Sequence, residues 1–231
     1  MNQDLHMVQD ISAGGSSTAQ RNRVLRNTYG LLALSMVPTV MGAWLGVATG
    51  ISAAMGSGMS LVVFMVGAFG FMFAIEKTKN SAAGVPVLLA FTFFMGLMLA
   101  RLLGMVLGFK NGTSLIMIAF GGTAGVFFAM ATLASVIKRD LSGMGKFLMI
   151  GAVVVFAVGL INFFFQSTAL MLTLSAVCIA LFSAFMLYDI KRVIDGGETN
   201  YISATLAIYL DIYNVFQNLL VLLGVLGGER D

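Results

Sequence analysis

Residues 147–188 read FLMIGAVVVFAVGLINFFFQSTALMLTLSAVCIALFSAFMLY and contain no charged residue. A helix that crosses a bilayer needs about 20 consecutive apolar residues, so this stretch is twice the length of one span. The polar triplet Gln166-Ser167-Thr168 interrupts it near the middle. We therefore predict a hairpin of two membrane-spanning helices that turns at this triplet.

Five further apolar stretches lie on the two sides of this hairpin. Of the 231 residues, 59% are apolar and 10% are charged, whereas a soluble domain carries about 25% charged residues. We predict an all-α integral membrane protein, a seven-helix transmembrane bundle at 29–225, with a flexible cytoplasmic N-terminal tail at 1–28 and a short C-terminal tail at 226–231. The predicted spans are 29–49, 58–75, 85–107, 114–137, 147–165, 169–188 and 201–225.

Composition and motifs exclude several function classes. The chain has one cysteine, Cys178, and one histidine, His6, too few for a disulfide or a cysteine- or histidine-based metal site. The short loops leave no room for a catalytic domain, and neither a nucleophile elbow, a zinc-protease motif nor a phosphate loop is present. Tyr188-Asp189 is half of the intramembrane aspartyl protease signature, and Gly-x-Gly-Asp is missing. We expect no enzyme, no cofactor and no nucleic-acid partner.

The basic residues predict the orientation of the chain. Alternate connections, beginning with the N-terminal segment, hold ten lysines and arginines, whereas the other side holds Lys110 and Arg230. Because basic loops stay in the cytoplasm, we predict a cytoplasmic N-terminus and a periplasmic C-terminus. A re-entrant last segment would instead return the C-terminus to the cytoplasm. The ten residues are Arg21, Arg23, Arg26, Lys77, Lys79, Lys138, Arg139, Lys146, Lys191 and Arg192.

An aspartate in the last predicted span is the first functional candidate, since ionisable groups within a bilayer are costly and usually functional. Asp211 lies ten residues into this span, or about 15 Å from its inner end by helical rise. Small and polar residues share its face by three-four spacing, and apolar residues occupy the other side. The last helix should therefore be central, with Asp211 pointing into the bundle. The polar face is Ala204, Ala207, Asp211, Asn214 and Asn218; the apolar side is Leu206, Leu210, Val215, Phe216 and Leu219.

A second aspartate closes the sixth apolar stretch. If that helix continues through Lys191, then Asp189 can approach Asp211 on the neighbouring helix. Two carboxylates in a low-dielectric interior would share a proton or hold a cation with oxygen ligands. Alternatively, Asp189 is an interfacial residue that pairs with Lys191 or Arg192.

The third predicted span contains an arginine, for which two explanations stay open. Arg101 lies about 10 Å from the outer end of its span by helical rise, close enough for its side chain to snorkel to the interface. Alternatively, Arg101 forms an ion pair with Asp211, which would neutralise both charges.

Several polar strings resemble the Bax inhibitor-1 family of small membrane proteins. One string is Tyr188-Asp189, which is followed by a short basic loop and then by Tyr209-Leu210-Asp211-Ile212-Tyr213-Asn214. Val24-Leu25-Arg26-Asn27-Thr28-Tyr29 and Gly121-Gly122-Thr123-Ala124 extend the resemblance along the chain. Gly196-Gly197-Glu198-Thr199-Asn200-Tyr201 is similar to the bacterial YccA-like branch in particular.

The resemblance implies a seven-helix fold with a central last helix and two alternative functions. The YccA-like branch is associated with FtsH, a membrane-anchored ATP-dependent protease. Members of this branch bind FtsH in the inner membrane and restrain its degradation of other membrane proteins. For this role, 196–201 is the candidate partner-binding loop. In the wider family, paired aspartates are implicated in a pH-sensitive calcium leak, and Asp189 and Asp211 match those positions. Asn214 and Asn218 are candidate supporting residues.

One departure from the family concerns the gate of the leak. The family's leak model includes an arginine on the second span as a partner of an aspartate. Here the second span contains no arginine. Lys77, at the end of that span, or Arg101 on the third would have to take its place.

Overall fold

The computed structural model describes residues 2–229, with side chains described for 18–51 and 54–229. Within this part the chain is helical and contains no strand. Seven helices are long and apolar enough to cross a membrane, as predicted, and α2 is a single short turn. The helices are α1 (Asn2–Thr49), α2 (Ile51–Ala54), α3 (Ser57–Thr78), α4 (Gly84–Leu107), α5 (Gly112–Val136), α6 (Met144–Phe165), α7 (Thr168–Ile194) and α8 (Tyr201–Gly227).

The predicted hairpin turns at the expected triplet. Helix α6 ends at Phe165, and Gln166 takes the left-handed conformation with φ of 52°. The Ser167 hydroxyl then caps α7 by accepting a hydrogen bond of 3.3 Å from the backbone N–H of Leu170. Asn162 accepts from the backbone N–H groups of Gln166 at 2.7 Å and Ser167 at 3.1 Å. The turn therefore satisfies its own polar groups, which a membrane-embedded hairpin must do.

The structure differs from the sequence prediction at the start of the chain. We predicted a flexible tail at 1–28, but helix α1 already includes residues 18–28. The physical reason is an apolar cluster in which Val24 packs with Val193 of α7 and Ala204 of α8. Thr28 is also fully buried. Met1 and the side chains of residues 2–17 lie outside the described part, as do residues 230 and 231, so the rest of the tail prediction stays a prediction.

Helix α8 lies at the centre of the bundle, as predicted. It packs against α1, α3, α4, α5 and α7, and no residue from Tyr201 to Gly224 is exposed. The outer helices instead expose large apolar side chains, such as Phe73 on α3 and Phe164 on α6. Val215, on the predicted apolar side of α8, is also fully buried, as expected for an interior helix.

The loops define two ends of the bundle. At the basic end, the α7–α8 loop meets α1 and the α3–α4 loop, since Asn200 donates a hydrogen bond of 3.1 Å to the Lys79 carbonyl. At the opposite end, the Asn111 side chain donates to the Gly227 carbonyl at 2.7 Å. These two asparagines join segments that are more than 100 residues apart in the chain, one at each end of the bundle.

Glycines allow α1 and α4 to approach closely. A Cβ atom on Gly42 would overlap the backbone carbonyl oxygen of Phe93, and one on Gly96 would overlap that of Thr39. Gly46 similarly faces Ala100. The small residues that recur at four-residue intervals therefore serve packing within the chain at these positions.

We expect Gly96→Ala to destabilise the protein by about 1–3 kcal/mol, because overpacking a close helix contact forces the backbones apart. Thermal unfolding of the purified protein in detergent would measure the change. Gly104→Ala, on the same helix, is the matched control, since a Cβ atom there meets nothing within 4 Å. Equal melting temperatures for the two variants would contradict the proposed tight contact.

Candidate functional site

The Asp211 side chain is enclosed within the bundle. Asp211 is 4% exposed and lies ten residues after the start of α8, which is about 15 Å along the helix axis. Its Oδ2 atom is buried and has no hydrogen-bond partner within the described structure. A buried carboxylate oxygen without a donor is unusual, so this atom is available to a proton or a cation.

Asp189 faces Asp211 from the neighbouring helix. Helix α7 continues past Lys191 to Ile194, which places Asp189 inside the helical segment. The carboxyl groups of Asp189 and Asp211 interact with each other across the contact between α7 and α8. The structure therefore brings together the two aspartates that the sequence singled out.

The basic residues next to Asp189 have other partners. Lys191 forms an ion pair of 2.8 Å with Asp195, and Arg192 forms one of 3.3 Å with Glu198. Arg192 and Glu198 also lie within electrostatic range of Asp189. Among the described residues, Asp189 forms no ion pair with Lys191 or Arg192, and Asp211 and Arg192 both act on its carboxyl group.

The chemistry of two neighbouring carboxyl groups determines what this pair can bind. An ionised carboxylate only accepts hydrogen bonds, so a hydrogen bond between the two groups requires one shared proton. Loss of this proton would leave two adjacent negative charges in a low-dielectric site, an arrangement that attracts a cation. Proton sharing and cation binding are therefore the two ways in which such a pair can be stabilised.

The other predicted site residues lie apart from the pair or bond elsewhere. The Asn214 and Asn218 amides donate to carbonyls of their own helix, those of Leu210 and Asn214, both at 2.8 Å. Lys77 is exposed at the end of α3, and its ammonium group stacks over the Phe73 ring at 5.4 Å. Lys77 therefore does not act as a latch for the aspartates in this conformation.

Arg101 does not pair with Asp211. Its guanidinium donates hydrogen bonds to the Ser57 hydroxyl at 2.9 Å and to the Ser60 hydroxyl at 3.4 Å. Both serines lie in the first turn of α3, near the opposite end of the bundle. This geometry agrees with snorkelling toward that end and not with the ion pair.

Two tyrosines near Asp211 have structural roles that the sequence did not reveal. The Tyr209 hydroxyl shares a hydrogen bond of 2.9 Å with Thr39 of α1, and Tyr213 donates at 3.3 Å to the Met95 carbonyl of α4. They fix α8 before and after Asp211. The only sequence signal was their spacing of four residues, which places both on one helix face.

The 196–201 loop is a structured surface at the basic end. Gly196 has φ of 81°, which a residue with a side chain rarely adopts, and it lies against the Arg21 side chain. The Asn200 side chain caps α8 by accepting from the backbone N–H groups of Ile202 at 2.9 Å and Ser203 at 3.1 Å. Gly197 and Thr199 remain exposed, so the loop presents a fixed shape to a partner.

Comparisons with known proteins agree with this architecture. A family described as "Inhibitor of apoptosis-promoting Bax1" matches residues 21–228. The chain is 38% identical over 209 residues to the Escherichia coli K12 protein named modulator of FtsH protease YccA, covering 90% of this chain and 93% of that protein. The same protein in another Escherichia coli strain is named inner membrane protein YccA.

Other relatives carry no functional name. An uncharacterised protein of Neisseria meningitidis is 37% identical over 97% of this chain and 99% of its own length. An uncharacterised protein of Pseudomonas aeruginosa is 39% identical over 89% of this chain and 90% of its own length. The similarity therefore covers nearly the whole chain, with its loops and both aspartate-bearing helices, and the chain belongs to the Bax inhibitor-1 family of multi-pass membrane proteins.

Proposed function

We propose that this protein binds an FtsH-type membrane protease in the bacterial inner membrane and restrains its degradation of other membrane proteins. The observation that carries the proposal is the 38% identity to a named FtsH modulator over 90% of the chain. Likeness at this level over nine-tenths of the chain supports a shared role. The names of the family and of this relative describe an inhibitor and a modulator rather than an enzyme.

The basic end of the bundle offers a surface for such a partner. The 196–201 loop is held by Arg192, which pairs with Glu198, and by Asn200, which bonds the Lys79 carbonyl. With the N-terminus in the cytoplasm, as the distribution of basic residues favours, this loop and the start of α1 lie on the same cytoplasmic face. A partner can then contact both at once.

We expect Asn200→Ala to weaken co-purification of FtsH from native membranes, because it removes the helix cap and the hydrogen bonds that shape the loop. Asn111→Ala removes equivalent links at the opposite end and should leave binding unchanged. Thr199→Arg, at an exposed loop position, tests the surface without disturbing the cap. The proposed binding of FtsH is refuted if FtsH never co-purifies with the wild-type protein. Equal losses of FtsH in both asparagine variants would show that the 196–201 loop is not the specific contact.

A second function, a pH-sensitive cation leak, is favoured by the aspartate pair. Asp211 is enclosed and Asp189 faces it, and a protein that served only as a protease regulator has no evident need for this arrangement. Calcium prefers six to eight oxygen ligands, whereas the described residues contain no group of three or more acidic, cysteine or histidine side chains. Such a pair suits an ion in transit, with water supplying the other ligands, better than a tightly bound ion.

If the protein is a cation leak, we expect calcium flux into liposomes to depend on pH for the wild-type protein. The flux through the Asp211→Asn variant should not depend on pH. The amide cannot exchange a proton, so the pair can no longer switch between its two charge states. Asp195→Asn is the matched control on α7, since Asp195 is half exposed and pairs with Lys191. Equal flux from wild type and Asp211→Asn at every pH would eliminate the aspartate mechanism.

We also expect Asp211→Asn to raise the melting temperature in detergent at pH 8 by about 2–4 °C, which corresponds to about 1 kcal/mol for a chain of this size. The substitution prevents the site from carrying two adjacent negative charges and provides an N–H donor for Asp189. Asp195→Asn should lower the melting temperature slightly or leave it unchanged. A lower melting temperature for Asp211→Asn would mean that the carboxylate stabilises the fold.

A further inference from the structure

Arg101 is a membrane-embedded cation without an acidic partner among the described residues. It lies six residues before the end of α4, which is about 9 Å from that end by helical rise. Its hydrogen bonds go only to neutral groups: the Ser57 and Ser60 hydroxyls and, at 3.4 Å, the Met55 carbonyl. A charge at this depth is costly unless something compensates it.

The Arg101 side chain lines a cavity of about 510 Å³ between α3, α4, α6 and α8. A second cavity of about 250 Å³ continues it toward the middle of the bundle, because Phe64, Tyr213 and Gln217 line both. We call the combined space the Arg101 slot. It extends along α3 from Ser57 to Met72, a distance of about 22 Å by helical rise.

The slot opens toward the outside of the bundle. Most of its wall is apolar and includes Met98 and Phe163. Met105 and Phe69, on its rim, are 65% and 58% exposed. In a membrane these rim residues contact lipid, so the slot is accessible from the bilayer.

The slot is long and mostly apolar. Its two cavities, of about 510 Å³ and 250 Å³, together extend over about 22 Å by helical rise, and apolar side chains line most of that length. This length and this lining suit an extended acyl chain.

We propose that the Arg101 slot binds an anionic phospholipid. The phosphate accepts hydrogen bonds from the Arg101 guanidinium and the Ser57 hydroxyl, and one acyl chain lies along the apolar wall toward Tyr213. The planar guanidinium fork matches a phosphate, and the lipid supplies the negative charge that the protein lacks here. With a cytoplasmic N-terminus, the head group lies in the periplasmic leaflet.

Native mass spectrometry of the full-length protein in detergent tests this proposal, with dioleoyl phosphatidylglycerol as the probe and dioleoyl phosphatidylcholine as the zwitterionic comparison. We expect tighter retention of phosphatidylglycerol, and an affinity lower by roughly tenfold or more in Arg101→Gln, because a hydrogen bond to a charged group is lost. Arg101→Lys, which keeps the charge, should show a smaller loss. Arg139→Gln, at an exposed arginine of the basic end, is the control and should bind as wild type does.

Four results would overturn the assignment. Equal retention of phosphatidylglycerol by wild type and Arg101→Gln would show that Arg101 does not bind the lipid. Equal retention of the two lipids by wild type would show that the site does not select lipids by charge. Displacement of phosphatidylglycerol by an equal concentration of inorganic phosphate would indicate a site for a free anion. Met98→Trp, which fills the slot and keeps Arg101, should weaken both lipids; if it spares the lipids and instead abolishes FtsH co-purification, the slot belongs to a protein partner.

Discussion

A carboxylate at mid-depth in a membrane has to be enclosed by protein, and this constraint organises the bundle. Asp211 is enclosed because α8 lies within a ring of other helices and exposes no residue from Tyr201 to Gly224. Hydrogen bonds from Tyr209 and Tyr213 to α1 and α4 hold the helix in place on both sides of the aspartate. The remaining helices separate Asp211 from the lipid, and their outer faces are apolar because they contact lipid.

The two candidate functions use different parts of this arrangement. The interior pair, Asp189 and Asp211, is chemically suited to a proton or a cation, and the 196–201 loop is suited to a partner at the basic end. A short path connects them, since Arg192 pairs with Glu198 in the loop and lies within electrostatic range of Asp189. The loop and the aspartate pair are therefore electrostatically connected through Arg192.

The sequence was sufficient for the spans, the hairpin and the central helix, because the bilayer imposes a length and a polarity that a single chain displays directly. It also identified both aspartates, since ionisable residues stand out against apolar ones. It did not reveal which residues meet across helices. The helical start of α1, the burial of Val215 and the partners of Arg101 depend on packing between segments far apart in the chain, for which hydrophobic periodicity contains no information.

The close contact between α1 and α4 has a mechanical consequence. Backbones that meet at Gly42 and Gly96 leave no side chains between them that can rearrange, so these two helices behave as one stiff unit. Helix α6 packs chiefly on α7, and α3 packs chiefly on α4 with only a slight contact to α8. The Arg101 slot lies between this stiff unit and the two helices with fewer neighbours, α3 and α6.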